Sequence, residues 1–274
     1  MSRPAYTISA RFNGHAPEKF LTVHYMPESL VKAHIIYIPP LAEEMNRCRA
    51  LVATQARQFA ELGYSCTLVD LFGTGDSEGE LHRASLEQWY DNIDVVVQAL
   101  CQQDDKPIYL WGLRLGGLLV LDYCARSQHP VENIILWQTV SSSKRFVTQL
   151  LRQRVASLVS RGLPAETAKD IRQRLEDGDK VEISGYVFGG TLLSGIEAID
   201  LSEVGQLCTG KIVWLENNDE PGQALGASAR KMTESLKQQG NTVEVLEFSD
   251  PPLWQLHKRD DAPQLLRLTG SIFS

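Results

Sequence analysis

The 274-residue sequence predicts an α/β fold, with a mostly parallel central sheet, helices on both faces and a helical insertion late in the chain. Three observations predict it. Apolar runs of strand length alternate with longer stretches whose apolar residues recur at helical spacing, the pattern of strands joined by crossover helices. One run, Ile108-Tyr109-Leu110-Trp111, leads through Gly112-Leu113-Arg114-Leu115-Gly116 straight into an apolar helical stretch. Between residues 143 and 200 the alternation stops, and helical stretches rich in Arg, Gln and Leu take over.

Taken in order, residues 5–12 and 19–27 predict two strands around the turn Asn13-Gly14-His15-Ala16-Pro17, an antiparallel hairpin at a sheet edge. Residues 34–38 form a continuous apolar run closed by Pro39-Pro40, a buried strand. From residue 43 to 62, Met45, Cys48, Val52, Ala56 and Phe59 mark one helical face, and Gly63 stops the helix. Residues 65–71 read as a strand ending at Asp70, followed by the glycine-bearing loop 72–79. A helix spans 86–102 with Ser85 as its N-cap. Strand 108–111, helix 115–126 and strand 133–139 follow. Residues 143–200 carry no clear buried strand and read as a lid inserted into a core made of residues 1–142 and 201–274. Strand 211–215, helix 224–238, strand 242–248 and a helix near 262–272 complete about eight strands.

A net charge of −7 and no Lys/Arg-dense run argue against a nucleic-acid partner. The five cysteines, Cys48, Cys66, Cys101, Cys124 and Cys208, are scattered and lack C-x-x-C spacing. Reduced thiols are therefore expected, with no disulfide framework and no metal site. No apolar run reaches the roughly 20 residues that a membrane span needs, and the N-terminus has no apolar signal core. A cytoplasmic protein with no cofactor is the expectation.

Ligands of such sheets bind beyond the carboxyl ends of the strands, so the residues just after each strand are the candidates. The strand–G-x-X-x-G–helix junction matches the nucleophile elbow of α/β-hydrolases, with Arg114 where the serine would stand. A guanidinium stays protonated and is neither nucleophile nor base. It can fork onto a carboxylate or phosphate, so Arg114 either anchors an anionic ligand or closes an internal ion pair. After strand 34–38, the prolines cannot donate a backbone N–H, but Leu41 or Ala42 can, with Leu115 supplying a second oxyanion-hole amide. Glu43 and Glu44 either favour the positive end of the next helix or neutralise Arg114. In Asp70-Leu71-Phe72-Gly73-Thr74-Gly75-Asp76-Ser77, Asp70 and Ser77 are expected to tie down the loop.

Asp219 takes the acid position after the penultimate strand, with Glu216 as the alternative. His257 takes the histidine position after the last strand. Lys144 and Arg145 are candidates for an anionic substrate, whereas Arg152 and Arg154 read as a solvated helix face. His15, His24, His34, His82 and His129 read as structural or surface residues. Ser77 or Ser141 would serve as a relocated nucleophile only beside His257.

Ala42-Glu43-Glu44-Met45-Asn46, the loop 70–77, Trp111-Gly112-Leu113-Arg114-Leu115-Gly116, Trp137-Gln138, Gly185-Tyr186 and Pro251-Pro252-Leu253-Trp254-Gln255 together resemble the second type of exosortase-A-system-associated hydrolase. The resemblance implies an α/β-hydrolase fold in bacteria with an exosortase (PEP-CTERM) system, encoded near exopolysaccharide and acyl-activation genes. It also implies that Arg114 belongs to the group's pattern. Pro39 departs from the histidine expected at that strand end. The expected function is an acyl ester, thioester or amide hydrolase in which Asp219 and His257 activate water and Arg114 holds the substrate anion or developing oxyanion. The alternative is a catalytically silent binding or scaffold protein.

Overall fold

A computed structural model of the chain describes residues 5–218, 225–251 and 262–273. Its centre is an eight-stranded sheet. β1 (Tyr6–Asn13) and β2 (Phe20–Pro27) form the predicted antiparallel hairpin. β2 also pairs antiparallel with β4 (Ser65–Val69). From there, β4, β3 (His34–Ile38), β5 (Ile108–Leu113), β6 (Asn133–Trp137), β9 (Lys211–Asn217) and β10 (Thr242–Phe248) run parallel, giving the order β1-β2-β4-β3-β5-β6-β9-β10. The chain leaves β3 for β4 on one side and returns to β5 on the other. The strand order thus reverses around β3, and a crevice opens beyond the carboxyl ends there.

The central strands β3, β5, β6 and β9 are buried on both faces, and their alternation separates two cores. Ile36, Ile38, Leu110, Ile134, Leu136, Ile212 and Trp214 face one core. Ile35, Tyr37, Trp111, Ile135, Trp137, Val213 and Leu215 face the other. α2 (Leu86–Gln103), α3 (Leu115–Arg126) and α7 (Ala227–Gln238) cover the first face. α1 (Glu43–Glu61) and α8 (Pro263–Ser271) cover the second. Trp111 lies at the centre of the second core, its ring 4.4 Å from Tyr37, 4.6 Å from Trp137 and 5.4 Å from Phe59. This aromatic cluster anchors the strand that carries Arg114.

Between β6 and β9 lie α4 (Ser143–Ser160), α5 (Ala168–Glu176), a hairpin of β7 (Val181–Ile183) and β8 (Tyr186–Phe188), and α6 (Gly190–Ala198). The hairpin corrects the expectation that this stretch holds no buried strand, since Val181, Ile183 and Phe188 are buried. Three residues are too few for alternation to register in sequence. Its turn uses Ser184 at φ 51° and Gly185 at φ 87°, the left-handed pair that suits tight hairpins. Arg154 is also not on a solvated face. It bonds Glu166 at 2.6 Å and the Glu182 carbonyl at 2.6 Å, and Arg174 closes on the same Glu166. Helix α7 begins at Ala227 rather than 224.

Among the described residues no disulfide forms, and Cys48, Cys66 and Cys208 are buried. No helix there is long and apolar enough to cross a membrane, and no group of His, Cys, Asp and Glu there could hold a metal ion.

Candidate active site

Arg114 stands between β5 and α3 at φ 54°, ψ −117°, a conformation that costs a non-glycine residue energy. Three glycines make the junction possible through clearance rather than left-handed φ. A Cβ on Gly116 would lie 2.1 Å from the Ile38 carbonyl oxygen, one on Gly112 2.5 Å from the Gly117 Cα, and one on Gly117 2.0 Å from Thr139 Oγ1. Helix α3 therefore starts in direct backbone contact with the end of β3. The Arg114 N–H donates to the Trp137 carbonyl at 3.0 Å, and its carbonyl accepts from Gly117 and Val140. The elbow is thereby fixed to the end of β6.

The guanidinium reaches back across the strand ends. Its Nε donates to Glu44 Oε1 at 3.3 Å and its Nη1 to the Gln138 carbonyl at 3.3 Å. Among the described residues Glu44 forms an ion pair with Arg114, and both side chains keep about a fifth of their surface exposed, 19% and 23%. Burial pushes the Glu44 carboxyl up from its ordinary range, and the charge of Arg114 pulls it back. Its Oε2 is buried with no hydrogen-bond partner among the described residues. Glu43 has other partners. It pairs with Arg47 at 3.0 Å and accepts from the Tyr186 hydroxyl at 3.4 Å, while Asn46 donates to that hydroxyl at 2.6 Å. Neighbouring acids at a helix start thus meet different partners because each residue turns the helix by about 100°, although both border one recess.

Ala42, the N-cap of α1, sits at φ 57°, ψ −125°. The backbone N–H groups of Leu41, Ala42 and Leu115 have no acceptor among the described residues. They are the free amides that an oxyanion site would use.

Two recesses meet at Arg114. One, of about 570 Å³, is walled by Leu41, Ala42, Glu44 and Arg114 on the sheet side and by Phe146 and Tyr186, among others, on the insert side. The other, of about 480 Å³, is walled by Arg114, Gln138, Ser141, Arg145, Glu216 and Ser228, among others. Glu216, at the end of β9, accepts from Trp214 Nε1 at 2.7 Å and from Gln138 Nε2 at 3.1 Å. Burial raises its carboxyl above the usual range, and those donors and Arg114 oppose the rise. All four non-glycine residues with positive φ among those described, Ala42, Arg114, Gln138 and Ser184, line one or other recess.

The remaining candidates divide. Asp219 and His257 lie outside the described residues. Arg145 lines the second recess. Lys144 is exposed and lines neither. Ser77 is held in the loop, its hydroxyl donating to the Asp70 carbonyl at 2.5 Å and accepting from Leu21 N–H. The Asp70 carboxylate takes Arg49 at 2.8 Å and Asp76 N–H at 3.0 Å. No described histidine lines either recess. His34 does form a Ser–His–Asp chain, with Ser65 at 2.5 Å and Asp104 at 3.0 Å. His34 and Ser65 begin their strands, at the opposite end of the sheet from Arg114, and both are buried. The chain clips the end of α2 to the sheet. His24 is equally internal; burial and Arg11 lower its pKa to about 4.

Sequence reasoning gave no role to Asn46, Gln138 or Tyr186. Their only signal was membership of the same short motifs, and in the fold those motifs surround one elbow.

Sheet order, elbow and switch-point crevice define an α/β-hydrolase-fold protein. Residues 30–184 match the family model Hydrolase_4, serine aminopeptidase, S33. This is more than half of the chain, which therefore belongs to that family. A curated relative, palmitoyl-protein thioesterase ABHD10, mitochondrial, from Bos taurus, is 26% identical over 140 residues, 51% of this chain and 40% of the relative. The match thus spans less than half of that relative's length. Among solved structures, Est1E from Butyrivibrio proteoclasticus with bound ferulic acid superposes with a TM-score of 0.67 at 16% identity, covering 96% of both chains. Alpha/beta hydrolase domain-containing protein 10 from mouse gives a TM-score of 0.58 at 16% identity, also with 96% of both chains covered. At such identities the likeness is one of fold.

Proposed function

We propose that this family member binds an anionic, acyl-bearing small molecule at Arg114, beneath residues 143–200 acting as a lid, and forms no serine acyl-enzyme. The observation that carries the reading is the guanidinium at the elbow, strained, fixed to β6 and open to two recesses. Arginine offers a planar fork that suits carboxylate and phosphate oxygens. A ligand anion competes with Glu44 for that fork, and Glu44 is suited to lose because burial already disfavours its charge.

A second reading, hydrolysis by water that Asp219 and His257 activate, is favoured by the amides of Leu41, Ala42 and Leu115, which have no acceptor among the described residues. The thioesterase relative makes acyl thioesters the first substrates to try, with acyl esters and amides beside them. Convergence of the Ala42–Asn46, Arg114, Trp137-Gln138 and Tyr186 motifs on one site supports assignment to the exosortase-A-associated type, and with it a cytoplasmic role beside bacterial exopolysaccharide synthesis.

The test pairs octanoate binding by calorimetry with a turnover screen on acyl esters and thioesters, in wild type, Arg114→Ala and His257→Ala. Octanoate binding that disappears in Arg114→Ala, without turnover in any protein, is the expected result. Turnover lost in both variants favours the hydrolytic reading. Turnover that survives both substitutions sinks the two readings together.

A further inference from the structure

We propose that the second recess beside Arg114 is a phosphate subsite, and that the ligand is a small phosphate ester or acyl phosphate whose phosphoryl group sits on Arg145. This rests on the reading of Arg114 as an anion anchor and adds the chemistry and seat of the anion.

The argument begins with an oddly placed cation. Arg145 lies in the first turn of α4, which has no acidic residue. The positive end of a helix repels cations and favours anions. Arg145 makes no ion pair among the described residues; its Nη1 donates to the neutral Ser228 hydroxyl at 2.9 Å. That contact aims the guanidinium across the recess at a second helix start. Ser228 lies in the first turn of α7, also free of acids, and the N-cap Gly226 has no side chain to cap it. The amides of Ala227, Ser228 and Ala229 have no backbone acceptor outside the helix among the described residues.

A further observation is independent of the helix ends. Thr139 lines the same recess at 6% exposure, with its hydroxyl turned against Gly117 of α3 and without a hydrogen-bond partner among the described residues. Ser141 and Ser142 complete the wall. Ser142 Oγ accepts from the Arg145 amide at 3.3 Å. Arg114 and Glu216 also line this recess. The Glu216 oxygens are taken by Trp214 and Gln138, and Arg114 offsets its charge.

Donors therefore come from two arginines, the serine hydroxyls of the wall and an uncapped helix start, on different walls. A planar carboxylate satisfies one fork, whereas a tetrahedral phosphate offers oxygens in all those directions. A volume of about 480 Å³ leaves room for the ester portion, and the adjoining recess of about 570 Å³ for an acyl chain.

Calorimetric titration of the full chain with inorganic phosphate, and separately with acetate, tests this. Phosphate is expected to bind wild type and to weaken about tenfold or more in Arg145→Gln, as one lost charge-assisted contact implies. Ser228→Ala should weaken it less, and Arg152→Gln, which removes an exposed charge from the same helix, should leave it unchanged. Circular dichroism checks that each variant folds. Absence of phosphate binding in wild type, equal binding in Arg145→Gln, or an equal loss in Arg152→Gln overturns the proposal. Phosphate binding that depends on Arg145 but not on Arg114 keeps the subsite and removes the Arg114 reading. Acetate binding that depends on Arg114, with phosphate indifferent to Arg145, does the reverse.

Discussion

Replacing Arg114 with methionine should destabilise the fold by an amount that grows with pH. The side chains of Arg114 and Glu44 are 19% and 23% exposed, between the fully buried and the surface case. Breaking a buried pair from one side costs about 3–5 kcal/mol, and an exposed pair contributes about 0–1 kcal/mol. A cost of about 2 kcal/mol at neutral pH is the interpolation. Burial raises the folded-state pKa of Glu44 above its unfolded value, and Arg114 restrains that rise. A carboxyl raised in this way contributes stability that is fully present below the unfolded pKa of about 4.3 and is lost as pH rises through the folded pKa. Removing Arg114 lifts the folded pKa further, so the loss continues to higher pH and ends larger. Urea unfolding midpoints should nearly coincide for wild type and variant near about pH 4 and separate progressively towards about pH 8. Adding Glu44→Gln should recover much of the difference. A gap that stays constant with pH, or a double variant as unstable as the sum of the singles, would refute the assignment of Glu44 as the partner.

The remaining predictions concern the elbow and the insert. Gly116→Ala places a Cβ 2.1 Å from the Ile38 carbonyl oxygen and 2.6 Å from that of Pro39; a loss of about 3 kcal/mol or more is expected in urea unfolding, and a near-neutral result contradicts the close approach of α3 to β3. Arg154 and Arg174 hold the Glu166 carboxyl below its usual range, against a smaller effect of burial. Its contribution is therefore present above the unfolded pKa and lost as pH falls through the lower folded one. Hydrogen-exchange protection factors in α4 and α5, corrected for intrinsic rates, should fall in acid in wild type, and Glu166→Gln should already lower them at neutral pH. Tyr186→Phe removes the exposed hydroxyl between Asn46 and Glu43; exchange at residues 181–188 should rise while the global midpoint shifts by less than about 1 kcal/mol.

Much of the fold was readable because burial on both faces leaves continuous apolar strands, and helices at such sheets show their inward stripe. Helix α3 and strand β10 fall on the expected residues, and the glycines around Arg114 announce a junction that only close backbone contact requires. The site was less readable. Periodicity cannot tell which of two adjacent glutamates meets Arg114, so Glu44 emerged only from where α1 starts beside the elbow. Nothing about glutamine demands φ 44°, so the contacts of the Gln138 carbonyl and side chain with Arg114 and Glu216 could not be read from its place in the Trp137-Gln138 motif. The pairing of Arg154 and Arg174 on Glu166 depends on how α4, α5 and the hairpin meet, which lies beyond any local pattern.

An arginine at the elbow invites the view that a hydrolase site has simply been blocked, but the backbone argues otherwise. Holding non-glycine residues at positive φ costs of order 1–3 kcal/mol each in the sparsely populated regions. Ala42 and Arg114 share nearly the same unusual angles, φ 57°, ψ −125° and φ 54°, ψ −117°, on facing loops. Ala42 at those angles keeps its amide, with that of Leu115, without an acceptor among the described residues, and Arg114 at those angles holds its guanidinium at the meeting of two recesses. In the reading proposed above, the strain serves presentation, with two amides and a cation directed at shared space. On that reading the arrangement gains from an anionic occupant, and Glu44, whose charge burial disfavours, is the partner such an occupant would displace.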